Sequence, residues 1–456
     1  MTTTPTLKTT LPPGPTESAF IQLLKWIADP LSLLEKSLQQ YGDPFTLEFR
    51  NFKPFVFLSN PDTIQEILTR DRANFYGGKE NYILLPIVGE NSILLTDGTV
   101  HDRQRKLMFP PFHGDKIRHY GEIMAEITQK VAQKWETGQP FSMRSSMQEI
   151  TLEVIMKAVF GIAEGDRHSQ LKTRLAKTLE LTGGSVLRSS LLFLPALQKD
   201  FLGSPWRNFL QRQKAINDLL QAEIEQRREE NKRGGKDVLS LLMSAKDEDG
   251  NPMSDAELRD QLITLLFAGH ETTATALAWA FYWIHKLPEV REKLLAELAT
   301  LSDISDVKEL NQLSYLDAVC KETLRIYPVA FVTFPRVTKS TVKVGDYEYP
   351  PNTVLAPCIY LLHHREDLFP NSKQFQPERF LERDFSPYQF MPFGGGSRRC
   401  IGDAFAPMEM KIVIATVLKQ YQLTLAEKKT VKAVRRGVTI APAGGVKMQL
   451  IIEQIM

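Results

Sequence analysis

The sequence predicts a mainly α fold with small β-sheets, in which a long helical region lies between two regions of short strands. Short β-rich runs bounded by Pro and Asn occur at 46–49 and 55–59. Helical periodicity with few strand signals extends over about 102–285, and strand-like segments return at 341–344 and 354–359. This order predicts that both ends of the chain contribute strands to a predominantly helical body.

The N-terminal region combines a Thr-rich tail with a short apolar stretch. That stretch, 20–27, is eight residues long, whereas a helix needs about 20 apolar residues to span a bilayer. We therefore expect no transmembrane anchor. A small docking helix is the simpler interpretation, and a peripheral membrane contact through Trp26 is the alternative.

The second half of the chain predicts helices at 288–298 and 313–327 and a final helix over about 403–421. Since no run of Gly, Ser or Pro is long enough to form a linker, we predict a tail and docking segment over 1–30 and a single domain over 31–456.

The composition excludes several classes of protein. With 43% hydrophobic residues and a formal net charge of +2, the chain has neither the low apolar content nor the high net charge of a disordered protein. It lacks the basic surplus that binds phosphate backbones, so we expect no nucleic-acid role. Three cysteines cannot all pair, and no secretory signal is recognisable, which indicates a reduced, cytoplasmic compartment.

The most specific feature is the segment 393–402, FGGGSRRCIG, which fits the pattern F-x-x-G-x-R-x-C-x-G. Five fixed positions at this spacing arise by chance on the order of once in ten thousand such chains. Cys400 immediately precedes the predicted final helix, whose N-terminus favours a thiolate. The glycines allow close approach of a flat group and offer N–H donors to the sulfur.

This segment resembles the heme-binding loop of the cytochrome P450 family, and the resemblance covers nearly the whole chain. It implies the cytochrome P450 fold, a single triangular body enclosing heme b. By this resemblance Cys400 is the axial thiolate ligand of the iron, and Phe393 shields the sulfur. Arg398 binds a heme propionate, and Gly402 completes the loop.

A second motif, Ala-Gly-His-Glu-Thr-Thr at 268–273, lies in a strongly apolar helix. A carboxylate there is costly unless it has a partner or a role. The Thr272 hydroxyl can donate to the carbonyl of Ala268 and open the helix locally, and Gly269 adds space for a small molecule. In the family, an acid and an alcohol matching Glu271 and Thr272 deliver protons on the distal side of the heme.

A third group carries a structural role in the family. Glu322 and Arg325 form an E-x-x-R pair, and Arg379 follows in a P-E-R-F sequence. An ion pair at this spacing is common on any helix. The resemblance implies a buried triad that shapes the heme pocket and takes no part in catalysis.

Further contacts follow from the resemblance. His101 and Arg105 match a pair that binds the heme propionates, although a basic surface helix is the alternative, and Arg336 matches another propionate-binding arginine. Less specific substrate contacts are expected at about 76–92 and 183–201. The implied substrate-binding residues are Ala268, Ala330, Phe331 and Val332.

Not every histidine near these motifs has a chemical role. His270 is interpreted as a helix or core residue, because a second axial ligand would block oxygen. His363 and His364 lie in a Pro-rich stretch that the family uses as a structural loop, so we expect no metal cluster there.

The resemblance implies a monooxygenase that inserts one atom of O2 into a large apolar small molecule. The sequence FAGHETTA at 267–274 is similar to a cyanobacterial branch and to animal retinoic acid hydroxylases, which suggests a retinoid or terpenoid acid. No flavin or iron–sulfur module accompanies the domain, so we expect a separate ferredoxin or flavodoxin-type electron donor and a monomeric enzyme. The residues of this chain that are candidates for contacting the donor are Arg103, Lys106, Arg398 and Arg399.

Two alternatives stay open. A peroxygenase or hydroperoxide isomerase of the same fold would need no electron donor, but such relatives commonly lose the acid or the alcohol that Glu271 and Thr272 provide. A non-enzymatic heme sensor or electron carrier would usually fill both axial positions of the iron.

Overall fold

The computed structural model describes residues 11–161, 165–183, 193–194, 197–230 and 235–453. In these residues the mainly α architecture with small sheets is confirmed. The helices are α1 (Ala19–Ala28), α2 (Pro30–Tyr41), α3 (Pro61–Thr69), α4 (Asp71–Asn74), α5 (Leu85–Val88), α6 (Gly98–Met108), α7 (Asp115–Ala132), α8 (Met143–Phe160), α9 (Asp166–Gly183), α10 (Pro205–Glu229), α11 (Val238–Ser244), α12 (Asp255–Lys286), α13 (Pro288–Leu298), α14 (Val307–Gln312), α15 (Ser314–Ile326), α16 (Ile359–His363), α17 (Arg379–Glu382) and α18 (Phe405–Gln420).

Apart from β4, which lies within the region predicted to be helical, the strands come from both ends of the chain, as the sequence predicts. They are β1 (Phe45–Leu47), β2 (Phe55–Leu58), β3 (Phe75–Tyr76), β4 (Pro140–Ser142), β5 (Arg336–Thr338), β6 (Val342–Val344), β7 (Tyr347–Tyr349), β8 (Val354–Pro357), β9 (Tyr421–Leu425), β10 (Ala433–Arg436), β11 (Thr439–Pro442) and β12 (Lys447–Glu453).

The largest sheet joins the two ends of the chain directly. Its strand order is β1-β2-β8-β5-β3. β2 and β8 pair in parallel, with Phe55 opposite Val354, and the other neighbours are antiparallel. A second sheet has the order β4-β12-β9, and β6–β7 and β10–β11 form two-stranded hairpins.

The long helix α12 runs through the main hydrophobic core. Its first turn is closed by a capping box, in which the Ser254 hydroxyl accepts from the Glu257 N–H at 3.2 Å and the Glu257 carboxylate accepts from the Ser254 N–H at 2.9 Å. From Thr273 to Tyr282 every residue of the helix is buried. A Cβ added to Gly269 would lie 3.0 Å from Cδ1 of Ile155 on α8, so this glycine serves the packing of α12 against α8.

The element boundaries follow the sequence patterns closely in the second half. The helix predicted at 288–298 is α13. β8 ends at Pro357, and of the last two residues of the predicted strand 354–359, Cys358 is the N-cap of α16 and Ile359 is its first residue. Pro407 occupies the first turn of α18, where its missing N–H would have had no partner within the helix. This proline therefore leaves the helix start near the predicted position.

The docking segment is an amphipathic helix. α1 is capped by Ser18 and buries Gln22, Leu23 and Ile27, while Phe20, Ile21 and Leu24 are 44–45% exposed. Within the described ranges, every helix is too short or too polar to cross a membrane.

Candidate active site

The segment 393–402 folds as a tight loop before α18. The Cys400 N–H donates to the Phe393 carbonyl at 3.0 Å, which closes the loop. Gly396 has a φ of 66°, and a Cβ at this position would lie 2.6 Å from the Asp71 carboxylate. Both the left-handed backbone and the close approach therefore require glycine here.

The three cysteines occupy different environments. Cys320 and Cys358 are buried, and burial raises the pKa of each thiol to about 12. Cys400 is exposed. The surrounding protein still raises the pKa of Cys400 by desolvation, but the Gly402 N–H hydrogen bond and the charges of Arg105 and Arg399 act in the opposite direction. Of the three thiols, Cys400 is the one that an external ligand could reach.

The acid–alcohol segment breaks the buried pattern of α12. The Thr272 hydroxyl donates to the Ala268 carbonyl at 2.7 Å, as the sequence predicts. Ala268 is exposed and Thr272 is half-buried, although most of the neighbouring residues of this helix are buried. Ala268 and Thr272 lie one helical turn apart and together form an exposed patch on α12. The Thr272 hydroxyl is the polar group of this patch.

The Glu271 carboxylate is held by α8. Arg144 donates to Glu271 Oε1, and Gln148 donates to Oε2 at 2.8 Å. The positive charge of Arg436 also lies near this carboxylate. Sequence reasoning missed these partners, since Arg144 and Gln148 lie more than 100 residues away in the chain and follow no motif.

His270 is a core residue, as expected. It is 2% exposed, and its Nδ1 lies 2.9 Å from the Thr151 hydroxyl of α8. Burial lowers the pKa of His270 to about 3. His363 is also buried, and its Nε2 accepts from the Met391 N–H at 3.0 Å. Among the described residues, no group of His, Cys, Asp or Glu could hold a metal ion.

The four side chains assigned to the heme propionates lie close to one another. His101 is 3% exposed, so α6 is more than a basic surface helix. Burial, followed by the charge of Arg398, lowers the pKa of His101 to about 4. Burial lowers the pKa of Arg398, and the nearby Arg336 contributes to that shift. Arg105 donates to the Arg399 carbonyl at 2.6 Å, beside Cys400.

Two of these arginines also form ion pairs with carboxylates. Arg398 donates to Asp97 at 2.6 Å and to the Ile93 carbonyl at 2.9 Å. Arg336 binds both oxygens of Asp71, at 2.5 and 3.0 Å. The pair between Arg336 and Asp71 was not predicted.

Asp71 also holds the cysteine loop. Its Oδ2 accepts from the Ser397 N–H at 2.9 Å and from the Ser397 hydroxyl at 2.7 Å. Arg336 reaches the same loop through the Gly395 carbonyl at 3.1 Å. One buried carboxylate therefore fixes the loop that carries Cys400 to strand β5.

The structure brings the E-x-x-R residues and Arg379 together. Glu322 Oε2 accepts from Arg325 Nε at 2.6 Å, and Glu322 Oε1 accepts from Arg379 Nε at 3.2 Å. Glu322 and Arg325 are both 0% exposed. Arg325 also donates to the carbonyls of His363 and Ser372 at 2.8 and 2.9 Å, so it ties α15 to the loop that follows α16.

The residues assigned to substrate binding differ in exposure. Ala268 and Ala330 are exposed and Val332 is half-buried. Phe331 is buried, with its ring centroid 5.4 Å from that of Trp26. Much of the expected contact segment 183–201 lies outside the described residues.

The expected docking contacts for an electron donor are all engaged in ion pairs. Arg103 pairs with Asp247 at 2.6 Å, and Lys106 pairs with Glu248 at 2.7 Å. Arg398 is mostly buried, so its assignment to a docking surface is wrong. Lys106, Arg399 and Arg72 have exposed side chains, and Arg399 adjoins Cys400 in the chain.

Comparisons with known proteins agree with these features. The cytochrome P450 family model matches residues 12–448. Cytochrome P450 135B1 of Mycobacterium tuberculosis is 35% identical over 441 residues, which cover 96% of this chain and 91% of that protein. Cytochrome P450 135A1 of the same species is 32% identical over 452 residues, covering 98% and 97% of the two chains.

Solved structures show the same fold. The retinoic acid-bound cyanobacterial CYP120A1 aligns with a TM-score of 0.85 and 23% identity, over 97% of this chain and 99% of that chain. The heme domain of cytochrome P450DA aligns with a TM-score of 0.84 and 22% identity, over 98% of each chain.

Proposed function

The chain belongs to the cytochrome P450 family of monooxygenases, which use heme b with a cysteine thiolate as axial ligand, and we propose that it hydroxylates a large apolar acid, a retinoid or another terpenoid acid. The observation that carries the catalytic part is the exposed Cys400 thiol at the end of its glycine-rich loop. The apolar character of the substrate is supported by Ala268 and Ala330, two exposed residues without polar side-chain atoms.

Cys400 provides the axial thiolate in this proposal. Heme b held by this thiolate would supply the O2 chemistry: one oxygen atom would enter the substrate, and the other would leave as water with two protons and the donor's two electrons. The Gly402 N–H and the charges of Arg105 and Arg399 favour the anionic sulfur. Phe393, joined to Cys400 by the backbone hydrogen bond of 3.0 Å, would shield one side of the sulfur.

His101, Arg105, Arg336 and Arg398 bind the two propionates. A guanidinium has five N–H donors, and four of those on Arg336 already serve Asp71, Phe334 and Gly395. Arg336 thus contributes mainly positive charge and one remaining donor. His101 lies among these cations, and because burial keeps its pKa low it can donate a hydrogen bond without adding another charge.

Thr272 and Glu271 deliver protons. The Thr272 hydroxyl lies on the exposed patch of α12, where its bond to Ala268 fixes its orientation. The Glu271 side chain is 14% exposed and carries protons from solvent to Thr272. Arg144 and Gln148 hold the carboxylate between transfers, and Glu271 must turn away from them to deliver a proton.

The retinoid or terpenoid part of the proposal has separate support. The sequence 267–274 resembles retinoic acid hydroxylases, and the structurally similar CYP120A1 was solved with retinoic acid bound. Ala268, Ala330, Phe331 and Val332 contact the apolar part of the substrate. Their small or apolar side chains suit a polyene and offer no partner for a polar chain.

Electrons arrive from a separate ferredoxin or flavodoxin-type donor. Arg399, beside Cys400, and the exposed Lys106 and Arg72 give an acidic donor positive charge to approach. The enzyme is a cytoplasmic monomer in this proposal. The exposed Phe20, Ile21 and Leu24 side chains of α1 allow a peripheral contact with a membrane.

The proposal is tested by the absorption spectrum of the reduced protein with carbon monoxide. The wild type should show the thiolate signature, and Cys400→Ser should lose it. A wild-type spectrum without that signature would refute the assignment of Cys400. Turnover with a hydroperoxide but not with O2 and a ferredoxin system would indicate the peroxygenase alternative.

Substrate class is tested by titration with retinoids and with fatty acids of similar length. A retinoid substrate should displace the iron-bound water and change the spin state of the heme. If fatty acids alone cause this change, the retinoid assignment is wrong while the monooxygenase assignment stands.

A further inference from the structure

Arg435 is a buried arginine next to the segment that contains Ala330. It lies on β10, and its hairpin partner β11 is attached to this segment by a hydrogen bond from the Ile440 N–H to the Val329 carbonyl at 3.1 Å. The Arg435 guanidinium lies 5.7 Å from the Phe331 ring centroid. The side chain is therefore adjacent to the proposed substrate-binding residues.

Aromatic rings surround this guanidinium. Its central carbon lies 4.3 Å from the ring centroid of Phe193 and 5.1 Å from that of Trp26. Nε donates to the Gly437 carbonyl at 2.9 Å, and Nη1 donates to the Trp26 carbonyl at 2.6 Å. Arg435 is 3% exposed, so this charge is almost completely removed from solvent.

Within the described parts of the chain, no carboxylate neutralises Arg435. The other most deeply buried arginines have acidic partners: Arg325 pairs with Glu322, Arg336 with Asp71, Arg144 with Glu271, and Arg227 with Glu223. The segment 184–192, which precedes Phe193 in the chain, contains no Asp or Glu. Removing a charge from water without a counter-ion is unfavourable. Arg435 differs from the other buried arginines in this respect, and we therefore expect an anionic ligand to bind it.

The hydrogen bonds leave donors for such a partner. Nη2 makes no hydrogen bond to any other residue that the structure describes, and Nη1 uses one of its two N–H groups. A carboxylate accepts from two adjacent guanidinium donors with favourable geometry. Burial lowers the pKa of Arg435 to about 9, so the group remains positively charged at neutral pH.

We propose that Arg435 binds the carboxylate of the substrate, while the apolar remainder extends along Ala330 toward Ala268. This inference rests on the proposed function and deepens it, because it assigns the residue that distinguishes an apolar acid from the corresponding ester, alcohol or hydrocarbon. The aromatic rings exclude water around the ion pair and strengthen it.

The test compares charged and neutral forms of one ligand. The heme-loaded full chain is titrated with two series of ligands. The first is retinoic acid, its methyl ester and retinol, and the second is a long-chain fatty acid and its methyl ester. Dissociation constants are taken from the spin-state change or from ligand fluorescence. A charge-assisted hydrogen-bonded contact corresponds to about a tenfold to hundredfold difference in affinity. Wild type should bind the acids more tightly than the neutral forms by about this factor.

Arg435→Met should remove this difference, raising the dissociation constant of the acid by about tenfold or more while that of the ester stays within about twofold. Arg435→Lys should keep part of the preference for the acid, since the charge remains. The matched control is Arg50→Met, because Arg50 is an exposed arginine that also lies over an aromatic ring, 5.6 Å from the centroid of Phe20.

Equal loss of acid and ester binding in Arg435→Met would overturn the proposal and identify a packing role. A wild type that binds acids and esters equally would also overturn it, without any variant. These outcomes are separate from failure of the proposed function. The carbon monoxide spectrum tests whether Cys400 is the thiolate ligand. The comparison of acid with ester tests Arg435, and it can be made with either a retinoid or a fatty acid.

Discussion

The Thr272 hydroxyl donates a hydrogen bond of 2.7 Å to the Ala268 carbonyl, one turn earlier on α12. The Ala268 carbonyl thus accepts a side-chain hydroxyl within the continuous helix Asp255–Lys286, at the exposed patch. Because we assign Thr272 to proton delivery, loss of its hydroxyl should separate O2 consumption from product formation.

Thr272→Ala should lower the product formed per O2 consumed and raise hydrogen peroxide by a corresponding amount, measured with an oxygen electrode and a peroxide assay. Thr272→Ser should restore most of the coupling. The control is Thr275→Ala, since Thr275 is 0% exposed on the same helix and its hydroxyl has no hydrogen-bond partner among the described residues. Unchanged coupling in Thr272→Ala would remove Thr272 from the proton path.

Glu271→Gln should slow turnover and leave the thiolate spectrum intact. General acid–base groups contribute about a hundredfold or more to rate, so we expect kcat to fall by that order while substrate affinity changes little. Glu66→Gln, on the exposed face of α3 beside Arg70, is the matched control. A kcat equal to that of wild type would show that protons arrive by another route.

Glu322→Gln should destabilise the protein and reduce heme incorporation. The substitution leaves Arg325 and Arg379 without their shared carboxylate in a fully buried position, and removing one partner of a buried pair costs about 3 kcal/mol or more. Thermal unfolding and the ratio of heme to protein absorbance measure the effect. Asp218→Asn breaks an exposed pair with Lys214 and should leave both quantities unchanged.

Stability should fall in mild acid, and His270 should account for part of the slope. Burial lowers the pKa of His270 from 6.5 to about 3, so between these values the unfolded chain binds a proton that the folded chain excludes. The stabilisation is complete above pH 6.5 and is lost as the pH falls toward 3. His270→Asn should reduce the pH slope of the unfolding free energy by about 1.4 kcal/mol per unit. Urea unfolding between pH 4.5 and 7 tests this, and an unchanged slope would contradict it.

Local spacing explains why much of the site could be predicted. The residues around Cys400, the pair Glu271–Thr272 and the pair Glu322–Arg325 each lie within one short segment, where fixed spacing carries information. The hydrogen bond from Thr272 to Ala268 could be predicted for the same reason, because both ends lie on one helix.

Residues that act through distant partners could not be predicted in this way. Asp71 meets Arg336 across 265 residues, and Glu271 meets Arg144 across 127. A single Asp or Arg has no pattern that reveals its partner before the chain is folded. Gly269 shows a related limit, since its position beside the acid suggested an open space whereas the folded chain packs it against Ile155.

The contacts of Asp71 determine when the site can be completed during synthesis. Asp71 leaves the ribosome 265 residues before Arg336 and 326 residues before Ser397. At about 5–20 residues per second, this carboxylate waits from about 15 s to about a minute for the cysteine loop. The nascent chain therefore cannot form the completed cysteine loop until most of the polypeptide has been synthesised.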